Sequence, residues 1–227
     1  MKFSGISNMH KRFFLSTFFM KRVVAIRQKI DLVRWLLEFI RYINASGYHC
    51  LTRHDNNEIE VAIAMEGMKR IFFCISDKKI HTFQFPFLIR EDNENETFTV
   101  FYKDAQINNQ MITVFFALLE DIEKFRISLE SALDLFVQTV VEFEVPSHEY
   151  SYYWQLFIFL LEFEPSYIRY DFDVERHSEL HPLYHLDVNY ESGGAFKLGL
   201  SKGIGCNDFI DILDIKKAPW SVVCKNV

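Results

Sequence analysis

The spacing of apolar residues changes repeatedly along this chain, and an all-helical or all-strand fold does not accommodate that. From about Val23 to Ser46, Ile26, Ile30, Val33, Leu37, Ile40 and Ile43 recur every three or four positions, which is the repeat of one helix face. Gly47 stands where a C-terminal cap is expected, because glycine takes a left-handed backbone without steric cost. The period then drops to two. Glu58–Ala64, Arg70–Ser76, Lys79–Ile89 and Glu96–Tyr102 are separated by turn-forming clusters at Asp55-Asn56-Asn57, Glu66-Gly67, Ser76-Asp77 and Glu91-Asp92-Asn93. Four antiparallel strands in a meander are predicted.

Helical spacing returns near Asn109 with Met111, Val114, Phe115, Leu118, Ile122, Phe125, Leu129, Leu133, Phe136, Val137 and Val140. It predicts one long apolar helix, or two that break near Arg126–Ser128, stopped before Pro146. Such a stripe suits a core or a dimer seam. The run Trp154–Leu161 fits a buried strand or a buried helix; its aromatic content favours a strand over Tyr152–Glu164. Pro165-Ser166 then turns the chain into a strand over Tyr167–Phe172. Strands at Tyr184–Tyr190 and Ala195–Leu200 flank a hairpin turn at Ser192-Gly193-Gly194, and a short helix over Asp208–Asp214 is capped by Asn207. The expected fold is α+β in a single domain over residues 1–227: a basic N-terminal helix, an antiparallel meander, a long apolar helix, and a C-terminal β-hairpin element with a short closing helix. Met20 opens a segment that reads as a natural start, so residues 1–19 are expected to be a loosely packed extension.

Of the 227 residues 49% are hydrophobic and 25% charged, a composition that excludes disordered and low-complexity chains. The net charge of −6 hides an asymmetry. Residues 1–44 carry nine basic side chains against two acids, a local +7 that leaves −13 for the remainder. A basic arm on an acidic body serves nucleic acid, an anionic surface, or an acidic protein partner such as another copy of the chain. The longest apolar stretch of the arm, residues 13–20, has eight residues followed directly by Lys21 and Arg22. A membrane-spanning helix needs about 20, so no membrane segment and a cytoplasmic location are expected. Cys50, Cys74, Cys206 and Cys224 are scattered without a C-x-x-C pair, which excludes common zinc-knuckle spacings and points to a reduced chain rather than a disulfide scaffold.

Side chains able to do chemistry concentrate between Arg169 and Asp187. On strands, Arg169, Asp171 and Asp173 share one face, and so do His185 and Asp187, because side chains repeat with period two. If the two strands are neighbours, these groups converge, and three arrangements would use them. His181, His185 and Asp187, with Asp171 or Asp173, could hold a metal. His181 and His185 could act as acid and base on a phosphodiester, with Arg169 or Arg176 on the phosphate. Or His185 and Asp187 could lock a hairpin while Arg169 pairs with Asp171 or a helix end in a purely structural junction. Gly199, Gly203 and Gly205 match a phosphate loop in composition only. No Walker, dinucleotide, G-x-S-x-G or H-E-x-x-H pattern occurs, so no cofactor is expected.

The order R-Y-D-x-D from Arg169, H-P-x-x-H-L-x-V from His181, F-K-L-G-L from Phe196 and D-F-I-D-I-L from Asp208 resembles a C-terminal signature of uncharacterised bacterial proteins from mobile and defence-linked gene neighbourhoods. Small toxin–antitoxin proteins with R-Y-D and His-Pro strands are similar. The likeness covers residues 167–214 alone. It implies a prokaryotic accessory or regulatory protein that acts through assembly with itself or with a partner encoded beside it, in anti-phage defence or a toxin–antitoxin pair. The alternative is a His-dependent ribonuclease using His181 and His185, with Arg169 on the phosphate. On either reading the candidate site is His181, His185, Asp187, Arg169 and Asp171.

Overall fold

The computed structural model describes residues 11–16, 25–56, 58–65, 67–125, 129–188, 196–214 and 216. In chain order these form strand β1 (Lys11–Leu15), helix α1 (Lys29–Ser46), and strands β2 (Ile59–Ala64), β3 (Arg70–Ser76), β4 (Lys79–Gln84), β5 (Leu88–Asp92), β6 (Thr97–Tyr102) and β7 (Ala105–Gln106). Helices α2 (Asn109–Phe125), α3 (Leu129–Glu142) and α4 (Tyr150–Glu162) follow, then strands β8 (Ile168–Phe172), β9 (Tyr184–Val188) and β10 (Phe196–Gly199), and helix α5 (Cys206–Leu213). The class is mixed α+β, as the alternating periods require.

Seven strands make one sheet in the order β1-β2-β3-β4-β8-β9-β10, every neighbouring pair antiparallel. The order is that of the sequence, so this is a meander that the chain leaves twice, once after β1 and once after β4. The described residues divide into two compact units. The first holds the seven-stranded sheet and α5. The second is built from the two excursions: α1 from the first, and β5 to β7 with α2 to α4 from the second.

In the first unit, Ala62, Ala64, Phe72, Ile80, Tyr170 and Leu186 pack with Phe209 and Ile210 of α5. Phe72 and Phe209 meet edge-to-face with centroids 6.1 Å apart. Side-chain alternation sends the remaining residues of β4, β8 and β9 to the other face, which carries the polar groups described below. Part of the segment expected to be a loose extension is the edge strand β1, with Phe13 and Leu15 fully buried; its apolar residues alternate and so pair with β2 in register Phe13↔Val61. Residues 1–10 and 17–19 lie outside the described residues. Helix α5 starts two residues before the expected Asp208. The Asp208 carboxylate reaches back to the Gly205 N–H at 3.1 Å, so Gly205 is the cap, while Asn207 instead accepts a hydrogen bond from Arg12. Cys74 and Cys206 form a disulfide. This corrects the expectation of a reduced chain: sequence spacing carries no information about cysteines that strand β3 and helix α5 bring together.

The second unit corrects two further expectations. Lys79–Ile89 is not one strand. Pro86 has no N–H for a ladder, and the chain beyond it forms β5, which pairs with β6 in a separate three-stranded sheet. The four predicted strands therefore belong to two sheets. Tyr152–Glu164 is not a strand but lies in helix α4, ending at Glu162. Tyr153, Leu156, Phe157 and Leu160 are its buried residues, the i, i+3, i+4, i+7 face of a helix, and Phe115 of α2 packs on Tyr153 and Phe157 at 6.0 and 5.5 Å. The stripe from Asn109 is two helices, with the expected break at 126–128 outside the described residues. Helix α1 begins later than Val23, at Lys29, where Asp31 Oδ2 accepts from the Arg27 and Gln28 N–H groups at 2.8 and 3.0 Å. It ends at Gly47 as expected, with φ +53°, and a Cβ there would lie 2.5 Å from the Glu96 carbonyl oxygen. Among the described residues no helix is long and apolar enough to cross a membrane.

Candidate functional site

On the polar face of the sheet, register alone assembles two rows across four strands. His81, Arg169, Asp187 and Lys197 stand opposite one another in the first row. Lys79, Asp171, His185 and Gly199 form the second. Charges alternate along and between the rows, so each carboxylate has cations on both sides. Arg169 donates through Nε to Asp171 and through a terminal nitrogen to Asp187. Lys197 Nζ donates to Asp187 Oδ1 at 2.7 Å, and Lys79 lies 3.6 Å from Asp171. Asp171, Asp187 and His185 are buried, so this is a low-dielectric lattice in which charges must be matched.

The protonation pattern of His185 follows from its partners. Nδ1 is 2.7 Å from the Pro182 carbonyl oxygen, which can only accept, so Nδ1 carries the proton. Nε2 is then left with a lone pair, 3.0 Å from the Lys197 ammonium. Burial, and then the Lys197 charge, lower the His185 pKa, against the Pro182 hydrogen bond and the two carboxylates that would raise it. Gly199 makes room for this arrangement: a Cβ there would meet Pro182 Cγ at 3.1 Å. Burial would raise the Asp187 carboxyl, but the Lys197 hydrogen bond and the charges of Arg169 and Lys197 outweigh it and hold it below the usual range.

At the other end of the first row, Tyr167 accepts from Arg169, and its hydroxyl is 2.8 Å from His81 Nδ1. Burial, followed by the charges of Arg169 and Lys79, pushes His81 down to about 3. His81 is therefore a neutral imidazole inside the lattice.

A cleft of about 510 Å³ opens over this face, lined by Lys78, Lys79, Arg169, Arg176 and Lys197, by Asp171, Asp173 and Glu175, and by His181 and His185. The His181 ring sits edge-on to His185 with centroids 4.7 Å apart. Its Nε2 is 3.3 Å from Asp173 Oδ2 but forms no hydrogen bond.

All five candidates thus converge: Arg169 and Asp171 from β8, His185 and Asp187 from β9, and His181 from the connection between them. His177 does not line the cleft. Sequence reasoning missed Lys79 and His81 on β4, Tyr167 before β8, and Lys197 on β10. Lys197 lies on a strand the sequence did predict, but a hairpin centred on Ser192-Gly193-Gly194 would set residue 199 opposite Asp187, whereas the register is Lys197↔Asp187. The metal arrangement is assembled only in part. Ligand atoms of Asp171, His185 and Asp187 lie within 4.8 Å of one another, without His181, and Arg169, Lys79 and Lys197 already face those atoms. A cation could enter only by displacing Lys197, so the donor set fits protein cations better than a metal ion.

The fold and site define a mixed α+β protein whose antiparallel meander carries a buried ionic lattice beneath an open cleft. Compared with family models, curated proteins and solved structures, the chain matches none.

Proposed function

We propose that the cleft takes a phosphodiester strand and cleaves it by His-dependent acid–base chemistry, with RNA as the substrate class. The observation that supports this reading is the Nδ1-protonated His185 beside His181, on a cleft where five cations face three acids. Neither metal nor side-chain nucleophile is needed if the substrate carries its own, which RNA does in its 2′-hydroxyl. His185 Nε2 takes the 2′-hydroxyl proton as the oxygen attacks phosphorus. Arg169 and Lys197 stabilise the charge that gathers on the phosphoryl oxygens, and Lys197 leaves Nε2 for the phosphate as the strand enters. His181 protonates the departing 5′-oxygen, leaving a 2′,3′-cyclic phosphate and a new 5′-hydroxyl.

The test is incubation of purified protein with a single-stranded RNA and with its 2′-deoxy counterpart. Cleavage of the RNA alone, lost in His181→Ala and His185→Ala with the circular dichroism of the folded protein retained, is the expected result. Variants that cleave like the wild type would sink the reading, and so would wild-type protein that leaves RNA intact.

A second reading is action through protein assembly, which helix α3 favours, in the defence or toxin–antitoxin setting that the likeness over residues 167–214 implies. Leu133, Val137 and Val141, spaced four apart, are 46%, 46% and 61% exposed, a stripe of the kind partners cover. Sedimentation of the chain co-expressed with its genomic neighbours tests it. A complex broken by Val137→Asp supports assembly, whereas a monomer unaffected by that substitution rejects it. The basic arm gives nucleic acid less to hold than its charge count suggests, since Arg12 pairs with Glu60, Arg34 with Asp31 and Arg41 with Glu38.

A further inference from the structure

The Cys74–Cys206 disulfide stands apart from the cleft and from any reading of its chemistry. Cys74 lies on β3 and Cys206 opens α5, and their bond closes a loop of 132 positions. Both residues are only half-buried and both line an open cavity with Arg53, Glu58, Glu60 and Asp77. A thiolate arriving from solvent therefore has an approach to the bond, as it would not if the sulfurs were sealed in the core.

What the bond holds is small. Helix α5 has eight residues, fewer than the roughly 12–15 an isolated helix needs in water. Besides the disulfide, it is held by Phe209 and Ile210 buried on the sheet, by Ile212 and Leu213 partly buried against the same cluster and, at its start, by an exposed hydrogen bond from Arg12 to Asn207. The only other cysteine among the described residues, Cys50, is buried, and desolvation pushes its thiol up to about 11.

We propose that Cys74–Cys206 is a thiol–disulfide exchange site whose reduction by a dithiol frees the N-terminus of α5. One thiolate of the dithiol attacks a sulfur of the pair, forming a mixed disulfide and releasing the other cysteine, which takes up a proton. The second thiol of the reductant then closes its own disulfide and releases the remaining cysteine. Two electrons pass to the protein, which ends with two thiols, and the dithiol ends oxidised. Glu58, Glu60 and Asp77 outnumber Arg53 around the sulfurs, so an uncharged dithiol reacts more readily than anionic glutathione.

The test uses the full chain without denaturant, in buffers of increasing ratio of reduced to oxidised dithiothreitol, trapped with maleimide and weighed intact. The expected result is two further maleimides per chain appearing in one transition, severalfold faster with dithiothreitol than with glutathione at equal thiol. Amide exchange should rise over residues 206–213 while β8 and β9 stay protected. The proposal is overturned if both cysteines label in the oxidised protein, or if they label only when the whole sheet loses protection. Cys206→Ser should give rapid exchange over the same helix in any redox buffer. Slow exchange there, as in the oxidised wild type, would equally reject it.

Discussion

Arg169 and Asp187 face each other directly across β8 and β9, and the guanidinium that Asp187 binds is the one that Asp171 binds two residues along. One cation thus joins two buried carboxylates, and Lys197 supplies the second charge that Asp187 needs.

Asp187→Asn keeps the shape but removes the charge that Arg169 and Lys197 share. Breaking a fully buried pair costs about 3–5 kcal/mol, but these two cations are 28% and 29% exposed, so screening reduces the effect. A loss of about 2 kcal/mol in urea unfolding at neutral pH is expected. The Asp187 carboxyl is depressed in the fold, so its contribution is present above the ordinary carboxylate range, about pH 4, and is lost as pH falls through the depressed folded value. The variant should lack that portion of acid sensitivity. Identical pH dependence in both proteins would show that the lattice adds no stability through this residue.

His81 sets a second, separate acid dependence. Its folded pKa is lowered to about 3, whereas an unfolded histidine titrates near 6.5. Between these values the unfolded chain binds the extra proton, so stability is full above about pH 6.5 and declines as pH falls toward 3. His185, also lowered, acts in the same direction. Replacing His81 with Gln, which can still pair with the Tyr167 hydroxyl but does not titrate, should flatten the slope between about pH 6 and 4. Denaturant unfolding at a series of pH values measures it.

Lys197→Met removes the cation 3.0 Å from His185 Nε2. The imidazolium then faces Asp171 and Asp187 without that opposing charge, so the His185 pKa should rise. The ring proton shifts of His185, followed by NMR across pH, report this without reference to any activity. A titration midpoint that does not move would mean that Lys197 and His185 are not in contact.

Gly47→Ala places a methyl group against the Glu96 carbonyl in a backbone region with φ +53°. Strain of this kind costs about 2 kcal/mol, visible as a lowered midpoint in thermal unfolding. Ser46→Ala, at the last residue of the helix, should be close to neutral.

Where a periodic signal was long, the sequence was legible. The stripe from Met111 to Val140 and the face from Val33 to Ile43 are helices, and Gly47 caps the second. The run Trp154–Leu161 misled because a nearly all-apolar segment has no period; the length of the whole segment Tyr152–Glu164, too long for an ordinary strand, was the better guide. Pro86 was the overlooked signal between β4 and β5. For the site, period two correctly put Arg169 with Asp171 and His185 with Asp187. It could not give the register that sets Arg169 opposite Asp187, nor the neighbours Lys79 and His81, which reach β8 from a strand completed more than eighty positions earlier. The Cys74–Cys206 pairing was invisible for the same reason.

The twice-interrupted meander has a consequence for synthesis. On the ribosome β2, β3 and β4 emerge together and can close their hairpins at once, but the β4 edge finds its partner only when residues 168–171 arrive. The newborn chain must therefore build the whole excursion from residue 87 to 164 with that edge unpaired, and open edges are where strands of different chains join. The segment that delays the sheet also makes most of the second unit, so the unfinished sheet stays exposed for at least as long as that unit takes to be synthesised.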